Sequence, residues 1–352
     1  MRKVVHRGLT LAAAFCAASC NGTETPETGS GGMPASGGAA QGGTTFATGG
    51  TNTGGTAVAS GGRASGGSSA GGTATGGKAT GGSAGGPGAD GGVVQSAGCG
   101  KTQTLQNGTI NITFNGASRK YILRVPSDYD NTHAYRLVFA FAESGSSAQS
   151  VADRSYFTMA TQDSKNTIFA APDAANGAGS WSQTDVQLTD AILAQLEADL
   201  CIDKTRIFAT GFSFGGAMSM ALGCTRADVF RAVAYFSGAD LTGSCSAPLT
   251  KPIAFYASQA SGDAGSMSRT TPPAGEYWQA QFAAVNGCTA VPSSITFPAS
   301  GQQHTCTNYQ GCSAGHPTEY CVFNGPHGWE PKDPGQSTSW DAPEAWKFIT
   351  QF

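Results

Sequence analysis

From Arg119 onward the chain alternates short apolar runs with longer amphipathic ones. Tyr121–Val125, Leu137–Phe141, Thr167–Ala171, Arg206–Thr210, Ala232–Phe236 and Pro252–Tyr256 are bounded by turn-forming residues, and each predicts a short buried strand. Between the third and fourth lies Asp185–Leu200. There Leu188, Ile192, Leu196 and Leu200 recur at every fourth position while Asp190, Glu197 and Asp199 fall on other faces, which predicts an amphipathic helix. Gly215–Cys224 and Pro343–Phe352 predict two further helices, and Tyr320–Phe323 a late strand. Strands that alternate with helices build a largely parallel sheet covered on both faces. Such sheets gather their chemistry at the carboxyl ends of the strands. The alternation lapses over Gly287–Cys321, which is rich in Cys, Gly and Ser and predicts a disulfide-pinned excursion rather than a separate domain.

Composition divides the 352 residues unevenly. Of 51 glycines, 28 fall between Asn21 and Gly98, interleaved with Ser, Thr and Ala. A stretch so poor in large apolar side chains cannot offset its ordering entropy, so residues 21–98 are expected to be a disordered linker. Residues 99–352 then form one domain with a large core. The formal net charge of −3 divides into +2 before Cys99 and −5 after it, leaving no basic surplus for nucleic acid. No apolar run reaches the roughly 18 residues of a membrane-spanning helix.

Arg2, Lys3 and Arg7 precede the apolar run Leu9–Ala18, the pattern of a secretory signal over residues 1–20. The protein is therefore expected to be secreted or held at the cell surface. Ala17-Ala18-Ser19-Cys20 resembles a bacterial lipoprotein signal, in which a lipidated Cys20 would tether the linker to a membrane; ordinary cleavage at the same bond is the alternative. Eight cysteines remain after Cys16 and Cys20: Cys99, Cys201, Cys224, Cys245, Cys288, Cys306, Cys312 and Cys321. An even set in an exported chain predicts disulfides, with Cys224–Cys245 and Cys312–Cys321 the favoured local pairs. A metal reading is weak, because no C-x-x-C pair is present and no cofactor motif accompanies it.

The pattern G-x-S-x-G occurs at Gly67–Gly71, Gly81–Gly85, Gly211–Gly215 and Gly311–Gly315. Only Ser213 follows a predicted strand and opens a predicted helix. A strand-to-helix elbow of this kind projects the hydroxyl at a helix N-terminus, where the amide of Phe214 can stabilise an oxyanion. A nucleophilic Ser needs a base. His327, in Gly325-Pro326-His327-Gly328-Trp329, lies between the last predicted strand and the last helix and is favoured over His133, His304 and His316. The acid should follow the strand at Pro252–Tyr256; Asp263 is the first carboxylate there, with Asp240 in reserve.

With these residues in place, the chain from Cys99 to Phe352 resembles the secreted polyhydroxybutyrate depolymerase and feruloyl esterase type of the α/β-hydrolase superfamily. The resemblance is carried by Arg119-Lys120-Tyr121 with Val125-Pro126-Ser127-Asp128-Tyr129, by Leu200-Cys201-Ile202-Asp203, and by Arg206-Ile207-Phe208-Ala209-Thr210 leading into Gly211-Phe212-Ser213. Val229-Phe230-Arg231-Ala232, Asn286-Gly287-Cys288 and the segment Cys321–His327 extend it. It implies an α/β-hydrolase fold and a serine esterase with Ser213, His327 and Asp263 as its triad. The implied substrates are aryl esters of polysaccharides or polyester chains.

Two departures stand out. Ala142-Glu143 occupies the place where the family carries His-Gly and begins its oxyanion loop, and the acid lies about two residues off the family's spacing. Ala142 and Glu143 remain the candidate second oxyanion donors, since any residue but Pro supplies a backbone N–H. An ionised Glu143 beside a developing alkoxide is expected to oppose the reaction, a solvent-facing one to leave it unaffected, and a protonated or paired one to serve it. The competing expectation is a cell-surface binding protein with weakened chemistry, its groove lined by Trp181, Trp278, Trp329 and Trp340.

Overall fold

The computed structural model describes residues 92–352 except 176–177, 239, 242, 264–274 and 293–294. The expected signal, Cys20 and nearly all of the expected linker therefore lie outside the described residues. In chain order the elements are β1 (Gly108–Phe114), β2 (Ala117–Arg124), β3 (Tyr135–Phe141), α1 (Ala148–Asp153), α2 (Met159–Gln162), β4 (Thr167–Pro172), α3 (Gln183–Asp199), β5 (Ile202–Phe212), α4 (Phe214–Thr225), β6 (Ala232–Phe236), β7 (Ala254–Ala260), α5 (Glu276–Val285), β8 (Thr305–Asn308), β9 (Thr318–Phe323) and α6 (Asp341–Ile349).

The strands form one nine-stranded sheet in the order β1-β2-β4-β3-β5-β6-β7-β9-β8. The six strands from β4 to β9 in that order run parallel, while β1, β2 and β8 join antiparallel at the two sides. Every residue of β3, β4, β6 and β7 is buried, so both faces of the sheet's centre are covered. This is why those segments read as continuous apolar runs rather than alternating ones. β1 does alternate: Ile110, Ile112 and Phe114 pack against the core while the residues between them face out.

Local chemistry fixes where α3 starts. The Asp185 carboxylate accepts from the backbone N–H of Ser182 (2.9 Å), closing the helix N-terminus, and the Arg119 guanidinium meets it from β2 at 2.6 Å. β7 begins and ends later than the apolar run at Pro252–Tyr256 suggested, reaching Ala260. Its extension leaves only Ser261 and Gly262 between the strand and Asp263.

Two expectations are corrected. The cysteines pair as Cys99–Cys201, Cys224–Cys245, Cys288–Cys312 and Cys306–Cys321. Cys312 thus joins Cys288 rather than Cys321, because the antiparallel register of β8 on β9 sets Cys306 directly opposite Cys321. Packing also begins before Cys99. The Ser96 hydroxyl donates to the Leu200 carbonyl (2.6 Å) and accepts from the Ile202 N–H (2.8 Å), and Gln95 bridges to Asp203. A Cβ on Gly98 would lie 2.4 Å from the backbone of Leu200, so the chain crosses there only as glycine. No helix among the described residues is long and apolar enough to cross a membrane.

Candidate active site

Parallel register aligns the carboxyl ends of β5, β6, β7 and β9, since Phe212 pairs with Phe236, Phe236 with Ser258 and Ser258 with Cys321. Ser213, Asp263 and His327 all lie just beyond those ends.

Ser213 has φ 56° and ψ −119°, a conformation that costs a non-glycine residue on the order of 1–3 kcal/mol. Its N–H donates to the Phe236 carbonyl at 2.9 Å, and its carbonyl accepts the N–H of Ala217 in the first turn of α4. The elbow is held open by its glycines. A Cβ on Gly211 would come within 2.4 Å of the Gly215 backbone, and one on Gly215 within 1.9 Å of the Phe141 carbonyl oxygen. These two glycines let α4 start hard against the end of β3. The Phe214 amide and the Ala142-Glu143 segment are thereby brought to neighbouring positions.

The Asp263 carboxylate, fully buried, lies 2.6 Å from His327 Nδ1 through one oxygen and accepts the Ala260 N–H (3.0 Å) through the other. The pair is made because Ser261 and Gly262 hydrogen-bond back to the carbonyls of Phe323 and Gly325, tying the loop after β7 to the loop after β9. An imidazole whose Nδ1 faces a carboxylate carries its proton there, leaving the Nε2 lone pair available. The His327 ring packs on Phe212, the residue before Ser213, with ring centroids 4.5 Å apart. Asp240 is not part of this pair. Its carboxylate accepts the Cys245 N–H at 3.3 Å, and burial pushes its pKa up.

Glu143 has a partner that the sequence did not reveal. Its carboxylate pairs with the Arg154 guanidinium, and that guanidinium lies over the Trp329 ring, 5.5 Å from the centroid. The expectation of an uncompensated negative charge beside the elbow therefore loses its premise. Arg154 is delivered by an unusual turn: Ser155, Tyr156, Phe157 and Thr158 all have positive φ, between 52° and 60°. Left-handed backbone costs about 1–2 kcal/mol per residue, so packing must hold it. Phe157, fully buried, does so by lying edge-on to both Phe236 and Trp329. The other side of the segment is fixed by Trp181, whose Nε1–H donates to the Ala142 carbonyl at 2.7 Å.

The four tryptophans do not line one groove. Trp181, Trp278 and Trp340 are buried in the core, and Trp329 alone of the four borders a cavity of about 370 Å³ beside His327, with Phe323, Pro326 and Pro331. His304, the less favoured base candidate, pairs with Asp333 at 2.8 Å and stacks on Trp340 with ring centroids 3.8 Å apart. That second His–Asp pair was invisible in sequence because Asp333 lies 29 residues away. Glu319 lies within metal-ligand distance of Cys306 and Cys321, but those two sulfurs are joined to each other.

Comparison with known proteins follows this geometry. Feruloyl esterase D of Neurospora crassa is 36% identical over 269 residues, covering 73% of this chain and 90% of that protein. A probable feruloyl esterase C of Aspergillus clavatus is 38% identical over 264 residues, covering 72% and 90%. Among solved structures, a ferulic acid esterase of Anaeromyces mucronatus superposes with a TM-score of 0.44 at 15% identity, covering 72% of this chain and 92% of that one. An acetyl xylan esterase of Aspergillus awamori gives 0.49 at 14% identity, covering 69% and 99%. No protein-family model matches the chain.

Proposed function

The chain belongs to the feruloyl esterase family and is a carboxylic-ester hydrolase; from that premise we propose that it cleaves aryl-acid esters carried on polysaccharide, through an acyl-enzyme on Ser213. The observation that supports the site assignment is the 2.6 Å contact of Asp263 with His327 Nδ1, on an imidazole packed against the elbow that carries Ser213.

In this reading Ser213 Oγ attacks the ester carbonyl and its proton passes to His327 Nε2. Asp263 holds the imidazole in the required tautomer and stabilises the imidazolium. The tetrahedral oxyanion takes hydrogen bonds from the Phe214 N–H, at the positive end of α4, and from the backbone of the Ala142-Glu143 segment. His327 returns the proton to the departing alcohol oxygen. Water, deprotonated by the same nitrogen, then releases the acid and restores Ser213. The relatives that are named feruloyl esterases favour aryl esters over polyester chains. Export by the signal at residues 1–20, with Cys20 as a lipid anchor, belongs to the same proposal. The four disulfides fit an oxidising compartment.

Incubation with a fluorophosphonate should label Ser213 in the wild type, and Ser213→Ala should lose label and on the order of 10⁴-fold or more of its turnover of methyl ferulate. An unlabelled but folded wild type, or turnover surviving Ser213→Ala, overturns the mechanism. Faster hydrolysis of hydroxybutyrate oligomers than of methyl ferulate overturns the substrate class.

A further inference from the structure

A cavity of about 780 Å³ opens at the opposite end of the sheet. It is bordered by Asp203 and Arg206 at the start of β5, by Arg231 just before β6 and by Pro317 just before β9. Because these strands run parallel, this is their amino edge. The regular part of β5, from Ile207 onward, alone separates this edge from Ser213 by about 20 Å at the usual rise per residue, so the cavity is no extension of the esterase site.

The charge balance of the cavity is uneven. Arg206 Nε meets Asp203 Oδ2 at 2.6 Å, and the other Asp203 oxygen accepts from Thr205 and the Val94 N–H, so that acid is spent. Arg231 has no such partner. It is 5% exposed, donates through Nη1 to the Gly315 carbonyl at 2.6 Å, and lies over the Phe352 ring 3.7 Å from its centroid. Among the described residues Arg119, Arg136, Arg154, Arg206 and Arg226 each pair with a carboxylate, whereas Arg124 and Arg231 are each held by a backbone carbonyl and an aromatic face; of these two Arg231 is the more buried, and it borders this cavity. A buried guanidinium without a counter-charge is costly unless something supplies one. Burial accordingly lowers its pKa, and His316 next to it is also pushed down, by burial and by the Arg231 charge, and so stays neutral at neutral pH. Counted over the side chains of Asp203, Arg206 and Arg231, the lining holds one net positive charge, and it resides on Arg231.

We propose that this cavity binds a uronic acid unit of an acidic polysaccharide, with the sugar carboxylate on Arg231. One net positive charge is balanced by one carboxylate, and the planar guanidinium matches that group's two oxygens; a phosphate dianion would leave an excess negative charge. The remaining wall suits a hydroxylated rather than an apolar ligand. The oxygens of Thr205, Ser313 and Gln351, whose donors are held by Asp203, Asn286 and Phe348, remain as acceptors for sugar hydroxyls beside the glycine-rich backbone Gly311–Gly315, around a volume within the range of small-molecule sites. The site is independent of the chemistry at Ser213 and would hold the polymer whose ester groups that serine attacks.

Calorimetric titration of the full chain with D-glucuronate, D-glucose and inorganic phosphate tests the proposal. Glucuronate should bind at one site, glucose and phosphate each at least tenfold more weakly. Arg231→Gln should weaken glucuronate binding tenfold or more. Gln351→Glu, at an exposed position that leaves the core untouched, should weaken it severalfold by placing a competing carboxylate at the rim, and it carries the test should Arg231→Gln fail to fold. Ser213→Ala should bind as the wild type does, which separates this site from the esterase reading. Absence of glucuronate binding, equal binding of glucose, phosphate binding as tight as glucuronate, or affinity unchanged in both Arg231→Gln and Gln351→Glu overturns it.

Discussion

Removing Arg154 is the most informative single perturbation of the esterase end of the molecule. The side chain joins two segments that have no covalent reason to stay together. It pairs with Glu143, directly after β3, and covers Trp329, two residues beyond His327. Glu143 is 16% exposed and Arg154 33%, and the second Glu143 oxygen is buried without a hydrogen-bond partner. Arg154→Met would keep the aliphatic contact with Trp329 but strand the carboxylate. Breaking a fully buried pair costs about 3–5 kcal/mol. Solvent reaches a third of Arg154, which discounts that figure toward the range of exposed pairs, and loss of the cation–π contact adds about 0.5–1 kcal/mol. A net loss of about 2 kcal/mol is the working value, equivalent to a fall of about 4–8 °C in melting temperature for a domain of this size.

Turnover should fall with stability, because the segment proposed to supply the second oxyanion amide and the loop that carries His327 share this clamp. A fall of about tenfold or more in kcat for methyl ferulate is expected. Glu143→Gln, which removes the charge but keeps an acceptor, should lose less. The double variant Glu143→Gln/Arg154→Met should lose less than the two single losses combined, since the stranded charge is gone. Thermal unfolding and kcat measured on all four proteins decide the matter. If Glu143→Gln or Arg154→Met raises kcat, or if the double variant is simply additive, the pair is not a clamp and repulsion from Glu143 governs the site after all.

Asp263→Asn should lower kcat by on the order of 10⁴ while Asp240→Asn leaves it within about twofold, as initial rates on methyl ferulate would show; equal losses would contradict the pairing of Asp263 with His327. Ser96→Ala removes a buried hydroxyl that serves both Leu200 and Ile202, and should lower unfolding free energy by about 1–3 kcal/mol in urea titration. Asp341, fully buried with only the Tyr256 and Ser258 hydroxyls as partners, has its pKa raised by that burial to about 7. Its folded pKa lies above the unfolded one, so its contribution is complete below about pH 4 and is lost as pH rises through about 7, on the order of 4 kcal/mol. Urea titrations from pH 4 to 8 should show this decline in the wild type and a flatter profile in Asp341→Asn; parallel profiles would refute it.

The residues that were legible in the sequence are those whose roles are written locally. The parallel strands show as buried apolar runs, α3 shows as a four-residue repeat, and the elbow shows because Ser213 stands between a readable strand and a readable helix with a glycine two residues to either side. The pairing of Asp263 with His327 was within reach because each follows a readable strand. The residues that were not legible act across the chain. Nothing near Glu143 announces Arg154, because the left-handed turn that delivers it is made by Ser155–Thr158, none of them glycine. Cys306–Cys321 depends on the register of β8, a four-residue strand too short and too polar to carry a period. Ser96 sits in a stretch whose composition predicts disorder, and only the carbonyl of Leu200, 104 positions later, gives it a reason to be placed.

The same distinction bears on how the two ends of the sheet divide their work. At the carboxyl edge the buried carboxylates each have a named partner: Asp263 with His327, Glu143 with Arg154 through one of its two oxygens, Asp341 with Tyr256 and Ser258. Such sets fix a geometry before substrate arrives, which is what an oxyanion site requires. At the amino edge Asp203 is satisfied but Arg231 is left with a carbonyl and an aromatic face. A fold that neutralises its buried charges in one place and leaves a guanidinium facing an open cavity in another retains there a favourable term that only an anionic ligand can collect. β5 joins the two edges, running from Asp203 through a bulge against β3 and then regularly from Ile207 to the residue before Ser213. A polymer held at one end and cleaved at the other would therefore be gripped along one strand of the sheet.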